Sequence, residues 1–366
     1  MCPYTMKKPQ AQIGDTVRIH FICKSEDGAI LAFSLGGEPF QFTIGKSQAM
    51  QGLEQAVIGM SPDDFKSVII HADRTFGPLA GKNLIFDILL LGIVNSQQTN
   101  DGGYHYLINA LHGKGNLDDI IPRYQNTPHM SILISVPVYN RPEITRLSLE
   151  QTKRYKTPYC HLQVYNDHST EYDNSFLMPY ADEVIQLPEK MGIHNLRLSQ
   201  FRKFLETEFD CIYMTDNDVI HDPSYITALE ALYEMGERLL PVCIYNTRFH
   251  MHPSCIVYHG NGIFLKKTAP GVSLLFDRKM VEKIVSILDN VGHFHDDFGW
   301  DYRAIAYLDL PCITSEKSYL EHYGGDGIHN NDFERDKALN PTQYLQNRRE
   351  YILKYLTQDI ELEVDS

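Results

Sequence analysis

Two periods of hydrophobic repetition divide this chain. Over residues 11–96 apolar positions recur at every second residue, as in Thr16-Val-Arg-Ile-His-Phe-Ile22 and Pro39-Phe-Gln-Phe-Thr-Ile44, with Asp27-Gly28 as a hairpin turn between them. That alternation predicts strands with one buried face. Between Ser47 and Met60 the period lengthens, with Ala49, Met50, Leu53, Ala56, Val57 and Met60 on one side, which predicts a helix. Strands at 64–70 and 83–94 complete a small antiparallel α+β domain. From Met130 the pattern changes. Ser131-Ile-Leu-Ile-Ser-Val136 is almost continuously apolar, as a strand buried on both faces should be. A helix from Pro142 through Tyr155, strands at 161–165 and 184–187, a helix from about Asn195 and a strand from Cys211 follow. This βαβ series predicts an α/β domain with a mostly parallel, doubly wound sheet.

Between the two patterns, residues 95–128 are polar and turn-rich, with a short helix expected over 104–111. The expected organisation is therefore a domain over 1–96, a linker over 97–128, a second domain over 129–335 and a helical, charged tail over 336–366.

A chain of 366 residues exceeds one ordinary core, which agrees with two domains. The longest apolar run, Leu84 to Val94, is broken by Asp87 and falls far short of a membrane span. No apolar segment follows the lysines of the first nine residues, so no secretory signal is expected there. Seven cysteines without a C-x-x-C pair fit reduced thiols and a cytoplasmic location. The net charge of −14 is unevenly spread: residues 1–100 carry eight Lys and Arg against nine Asp and Glu, a net of −1, which leaves −13 for the remainder. An acidic body without a basic stripe argues against nucleic acid as a partner.

The densest chemistry lies at Cys211-Ile-Tyr-Met-Thr-Asp-Asn-Asp218. Alternate residues of an extended backbone share a face, so Asp216 and Asp218 can point into one small volume at the end of a strand. Two close carboxylates repel unless positive charge lies between them, and hard oxygen ligands suit Mn²⁺ or Mg²⁺. A solvated acidic turn is the competing reading. No G-x-G-x-x-G follows the first strand of the second domain and no G-x-x-x-x-G-K-[ST] occurs, which disfavours a dinucleotide oxidoreductase and a P-loop NTPase.

The first pattern, in the order strand, D-G turn, F-x-F-x-x-G, helix with G-L-E, then D-x-x-F-G and L-I-F-D-I-L-L-L, resembles the FKBP-type peptidyl-prolyl isomerases. The resemblance implies an apolar proline pocket lined by Phe21, Phe40, Met50, Leu53, Phe76 and Phe86. Two departures bear on activity. Leu31-Ala32 stands where the family usually has Phe-Asp, and the loop after Phe76-Gly77 is short. A working isomerase, a polypeptide-binding module and a set of rings that simply fill a core all remain open.

In the second pattern, I-S-V-P-V-Y-N-R, V-Y-N-D-H-S-T and M-T-D-N-D-V-I-H-D-P occur in this order from Ile134 to Pro223. The set resembles the GT-A-fold, nucleotide-diphosphate-sugar glycosyltransferases, in particular the large inverting family. The resemblance implies Pro137, Tyr139 and Asp167 around the nucleoside, and Arg197, with Arg202 as a rival, as the basic residue near the nucleotide. It implies Asp216 at the ribose or a metal-bound water, and Asp218 on the metal. Pro270-Gly-Val-Ser273 would line the donor sugar. Asp301, with Asp297 as rival, would be the base that deprotonates the acceptor hydroxyl. In Glu321-His-Tyr-Gly-Gly-Asp-Gly-Ile-His329, His322 would be a third metal ligand and His329 a diphosphate contact. The implied partners are a nucleotide-diphosphate-sugar donor and a glycan or protein acceptor. The alternative is a prolyl isomerase or chaperone whose second domain is a non-catalytic scaffold.

Overall fold

The structure, a computed structural model, describes residues 9–35, 38–71, 82–94, 105–124, 130–291, 299–324 and 337–356. Backbone proximity divides the chain into two compact units. One comprises residues 1–104 with 283–294 and 302–309, the other 105–282 with 295–301 and 310–366.

The first unit contains an antiparallel sheet of β1 (Thr16–Ser25), β2 (Ile30–Phe33), β3 (Phe40–Thr43), β4 (Phe65–Ile70) and β5 (Leu84–Val94), with one helix, α1 (Gln51–Val57). The spatial order is β2-β1-β5-β4, and β3 also pairs with β1. The alternation in the sequence does what its period predicts: Val17, Ile19, Phe42, Phe86, Ile88 and Leu90 all enter one core. The helix is shorter than the expected 47–60. Ser47 is left-handed (φ 55°) and Met50 is still extended (φ −55°, ψ 136°), so regular helical geometry begins only at Gln51.

The G-L-E triplet has a direct packing explanation. A Cβ on Gly52 would lie 2.4 Å from Ile70 Cγ2, so only glycine lets the helix approach β4 this closely. Leu53 enters the core. Glu54, only 6% exposed, accepts hydrogen bonds from the backbone N–H of Gly45 (2.7 Å) and Ala49 (3.2 Å) and so ties the preceding loop to the helix.

The second unit begins with α2 (His105–His112) and α3 (Leu117–Tyr124), both within the expected linker. Its main chain then runs β6 (Ile132–Val138), α4 (Pro142–Tyr155), β7 (Cys160–Asn166), α5 (Asn174–Leu177), β8 (Glu183–Gln186), α6 (Gly192–Leu205), β9 (Cys211–Thr215), β10 (Val219–His221) and α7 (Tyr225–Met235). It continues through β11 (Val242–Cys243), β12 (Ile256–Gly260), β13 (Ile263–Lys266), β14 (Ser273–Asp277), α8 (Arg278–Val291), α9 (Trp300–Leu308), β15 (Cys312–Ser315), β16 (Leu320–His322) and α10 (Gln343–Leu356), with residues 283–291 of α8 and 302–308 of α9 counted in the first unit.

Nine strands form one sheet in the order β12-β13-β15-β11-β14-β9-β6-β7-β8. The sheet is mixed, not mostly parallel as expected. The pairs β6/β7, β6/β9, β7/β8 and β11/β15 are parallel, whereas β9/β14, β11/β14, β13/β15 and β12/β13 are antiparallel. Central strands buried on both faces read as apolar runs in either direction, so the direction of β14 was hidden. The parallel half carries out the βαβ prediction, and it sets the C-terminal ends of β6, β7 and β9 side by side. Among the described residues, no helix is long and apolar enough to cross a membrane.

Gly52→Ala should destabilise the first unit by about 1–3 kcal/mol, the usual cost of forcing a methyl into a packed core. Chemical denaturation checks this, and an unchanged midpoint would contradict the packing described.

Candidate functional site

Three strand ends and their loops build a cleft of about 530 Å³ in the second unit. From the end of β6 come Pro137, Tyr139, Asn140 and Arg141, from β7 Asp167, and from β9 Asp216 and Asp218, with His322 and Gly324 opposite. This is where the carboxyl ends of parallel strands generally place ligands.

The β6–α4 loop is held stiffly. Asn140 and Arg141 are both left-handed (φ 53° and 58°), a conformation that costs energy unless surrounding bonds impose it. Asn140 Oδ1 accepts from the backbone N–H of Thr170 at 2.7 Å, and the Asn140 carbonyl accepts from the Tyr172 hydroxyl at 3.0 Å. The Arg141 N–H donates to Glu171 at 3.0 Å, while its carbonyl accepts from Thr145 N–H in α4 at 3.1 Å. Pro142 then opens α4 with a φ already suited to a helix.

Asp216 and Asp218 are balanced by different cations. Arg197 of α6, fully buried, forms an ion pair with Asp216 and donates to the Thr215 carbonyl at 3.4 Å, and its guanidinium lies 4.9 Å from the Trp300 ring. Asp218 is bound on both oxygens: Arg141 donates to Oδ2 at 2.8 Å, and His322 Nε2 lies 3.1 Å from Oδ1. Burial pushes the Asp218 carboxyl up, but His322 and Arg141 outweigh it and bring the group below the usual carboxylate range. Burial likewise raises Asp216, opposed by Arg197 and reinforced by the neighbouring Asp218.

The donor atoms of Asp216, Asp218 and His322 lie within 4.8 Å of one another. Two carboxylates and one imidazole form a donor set of the kind Mn²⁺ accepts. A Cβ on Gly324 would sit 2.5 Å from His322 Nε2 and 2.8 Å from Asp218 Oδ2, so glycine keeps this space open. On donor chemistry and space the residues fit a divalent cation.

The other residues singled out in the sequence fall in several places. Pro137, Tyr139 and Asp167 line the cleft. Lys190 Nζ lies 3.6 Å from the centre of the Tyr139 ring, covering that face. Asp167 accepts from the N–H groups of Met191 (2.7 Å) and Gly192 (3.2 Å) at the start of α6, so its carboxylate already shapes the cleft wall. Arg197 lies beneath the cleft, and its rival Arg202 is exposed. Asp301 does not line the cleft. It enters α9 beside Gly271, whose added Cβ would meet Trp300 Nε1 at 2.9 Å and Asp301 Cβ at 3.2 Å. Asp297, His329 and Phe76 lie outside the described residues.

Arg141, Glu171, Lys190 and Gly324 belong to the cleft without having been singled out. Arg141 had a visible signal, since it ends the I-S-V-P-V-Y-N-R run directly after a buried strand.

In the first unit, Phe21 packs on Phe40 edge to face at 5.9 Å and on Phe86 at 5.7 Å. Leu53 and Phe86 are buried in the core, while Phe21, Phe40 and Met50 are only partly buried at its margin. Leu31 is 42% exposed on β2, and Ala32 next to it brings no polar group.

Comparison with known proteins bears on this first unit. Residues 7–91 match the family described as FKBP-type peptidyl-prolyl cis-trans isomerase. FK506-binding protein 4 of Aspergillus oryzae is 33% identical over 93 residues, 24% of this chain and 20% of that protein. Peptidyl-prolyl cis-trans isomerase FKBP15-2 of Arabidopsis thaliana is 30% identical over 92 residues, 23% of this chain and 56% of that protein. Peptidyl-prolyl cis-trans isomerase FKBP2 of Homo sapiens is 29% identical over 100 residues, 25% of this chain and 67% of that protein. The chain thus spans about a fifth of the fungal relative and just over half of the plant one. A solved structure of the three FKBP domains of wheat FKBP73 aligns with 24% of this chain and 44% of that one, at 21% identity and a TM-score of 0.22.

Asp216→Ala should destabilise the second unit by about 2–4 kcal/mol, because it leaves Arg197 charged and fully buried without its carboxylate. Asp216 keeps 27% side-chain exposure, which sets the cost below that of a completely buried pair. Urea denaturation checks this, and a loss well under 1 kcal/mol would contradict the pairing.

Proposed function

We propose, taking residues 7–91 as the FKBP-type domain that the family match gives, that this chain joins a polypeptide-binding module to a metal-dependent nucleotide-sugar transferase. The observation that carries the transferase reading is the convergence of Asp216, Asp218 and His322 at the end of β9, in a cleft also lined by Pro137, Tyr139 and Asp167. Asp218 and His322 would hold Mn²⁺ or Mg²⁺, with Asp216 beside them. The cation's contribution is positive charge for a leaving diphosphate. Tyr139 and Asp167 bound the space for the nucleoside. The proton of an acceptor hydroxyl, on a glycan or a protein, is assigned to Asp301, which stands at the start of α9 beside Gly271 and outside the cleft lining itself, and transfer of the sugar is expected with inversion. The free cysteines among the described residues, all but Cys255 buried, support a reducing cytoplasm as its location.

In the first unit the half-buried rings of Phe21 and Phe40 support binding of an apolar, proline-containing segment. Ala32 supplies no polar contact to a twisted imide, so binding is expected to exceed isomerisation.

A second reading has its own observation. Arg141 already pairs with Asp218 and Arg197 with Asp216, so each carboxylate of the pair has a fixed positive partner without a divalent cation. That favours a prolyl isomerase or chaperone with a non-catalytic second unit. The family match supports the FKBP-type half common to both readings.

Thermal shift with uridine, guanosine and cytidine diphosphates and their sugars, with and without Mn²⁺, separates the two. The transferase reading expects stabilisation by one nucleotide only when metal is present. It also expects loss of that shift in Asp218→Asn, together with a fall of about 10² or more in turnover on the matching sugar donor. No shift with any nucleotide, alongside measurable prolyl isomerase activity of the full chain, would establish the second reading instead.

A further inference from the structure

Arg141 offers a cationic group at the point where the proposed cation would bind. We infer, on the transferase reading above, that Arg141 is a built-in counter-cation: it holds Asp218 while the site is empty and turns to the donor's diphosphate when Asp218 is taken over by a divalent cation.

The inference rests on position, charge and mobility. Arg141 Nη1 donates to Asp218 Oδ2 at 2.8 Å, and His322 faces the other oxygen at 3.1 Å, so each oxygen of Asp218 already has a positive or donor group against it. A guanidinium on Oδ2 and a divalent cation drawing on the same carboxylate compete, because like charges at such separations repel. The hold of Arg141 on Asp218 is therefore weakened when the carboxylate is taken, and its guanidinium is drawn towards any added negative charge. Its backbone cannot follow. The left-handed φ of 58° is fixed by the N–H bond to Glu171 and the carbonyl bond from Thr145. The side chain is the mobile part, and it keeps 32% exposure towards the cleft.

Once released, the guanidinium remains on the cleft wall among acidic neighbours: Asp167, Glu171 and Asp216 line the same cavity. Among the described residues that line the cleft, Lys190 is the one further Lys or Arg, and it already lies over the Tyr139 ring. A diphosphate entering so acidic a cleft requires positive charge, and a planar guanidinium is suited to phosphate oxygens. The same residue thus disfavours metal binding alone and favours metal binding with nucleotide. Metal and diphosphate would bind cooperatively, each strengthening the other by the same factor.

The test is calorimetric titration of the full chain and of Arg141→Met with Mn²⁺ alone, and then with uridine, guanosine and cytidine diphosphates at saturating Mn²⁺. Expected is a change of opposite sign in the two titrations. Mn²⁺ alone binds Arg141→Met roughly tenfold more tightly, whereas the preferred diphosphate binds it roughly tenfold or more weakly. Arg141→Lys keeps a charge near Asp218, so its affinity for Mn²⁺ alone should stay close to wild type; it serves as the second variant if Arg141→Met fails to fold. A wild-type chain that binds both ligands, with variants that bind Mn²⁺ alone no differently or more weakly where tightening is expected, would overturn this inference and leave the transferase reading standing. Arg141→Lys binding Mn²⁺ alone tenfold more tightly would also overturn it. A wild-type chain that binds neither Mn²⁺ nor any of the diphosphates would overturn both.

Discussion

Two carboxylates set one residue apart at the end of a buried strand repel each other, and the second unit is arranged around supplying them with positive charge. Arg197 reaches Asp216 from α6, while Arg141 and His322 reach Asp218 from the β6–α4 loop and from β16. Each partner comes from a different element, so the pairing ties those elements together around the end of β9. Arg197 is the extreme case: a wholly buried guanidinium kept in place by the Asp216 carboxylate, the Thr215 carbonyl, the Gln200 side-chain oxygen and the face of Trp300. A buried charge of this kind is costly to strand and adds little stability when paired, which makes it a device for fixing geometry.

The first unit works by a different constraint. Its sheet is ordinary, and its specificity lies in the approach of α1 to β4 that Gly52 permits and in the loop that Glu54 ties down. These features place Leu53 in the core and leave Met50, like Phe21 and Phe40, partly buried at its margin. Among the described residues, Phe21, Phe40 and Met50 make this margin apolar.

Much of this organisation is legible in the sequence because it is local. Helix α4 spans Pro142 to Tyr155 as expected, since Pro142 marks its first turn and β-strand residues precede it. The strands expected at 64–70 and 83–94 appear within one residue of those ends, while the first strand starts at Thr16 as expected and runs three residues past Ile22, to Ser25. What escapes is non-local or disguised. Helix α3 carries Pro122, which reads as a breaker, and so it hid within the linker. The antiparallel β14 looks the same as a parallel strand when both faces are buried. The Arg141–Asp218 contact joins residues 77 apart, and nothing in either motif alone announces it.

The central claim is that the Asp218–His322 pair is a metal-binding site, and pulsed electron paramagnetic resonance of the full chain with Mn²⁺ and the preferred nucleoside diphosphate tests it most directly. The account predicts bound Mn²⁺ with nitrogen coupling from an imidazole, and loss of that coupling in His322→Gln. Mn²⁺ that stays free in solution, or a nitrogen coupling unchanged in His322→Gln, would contradict it.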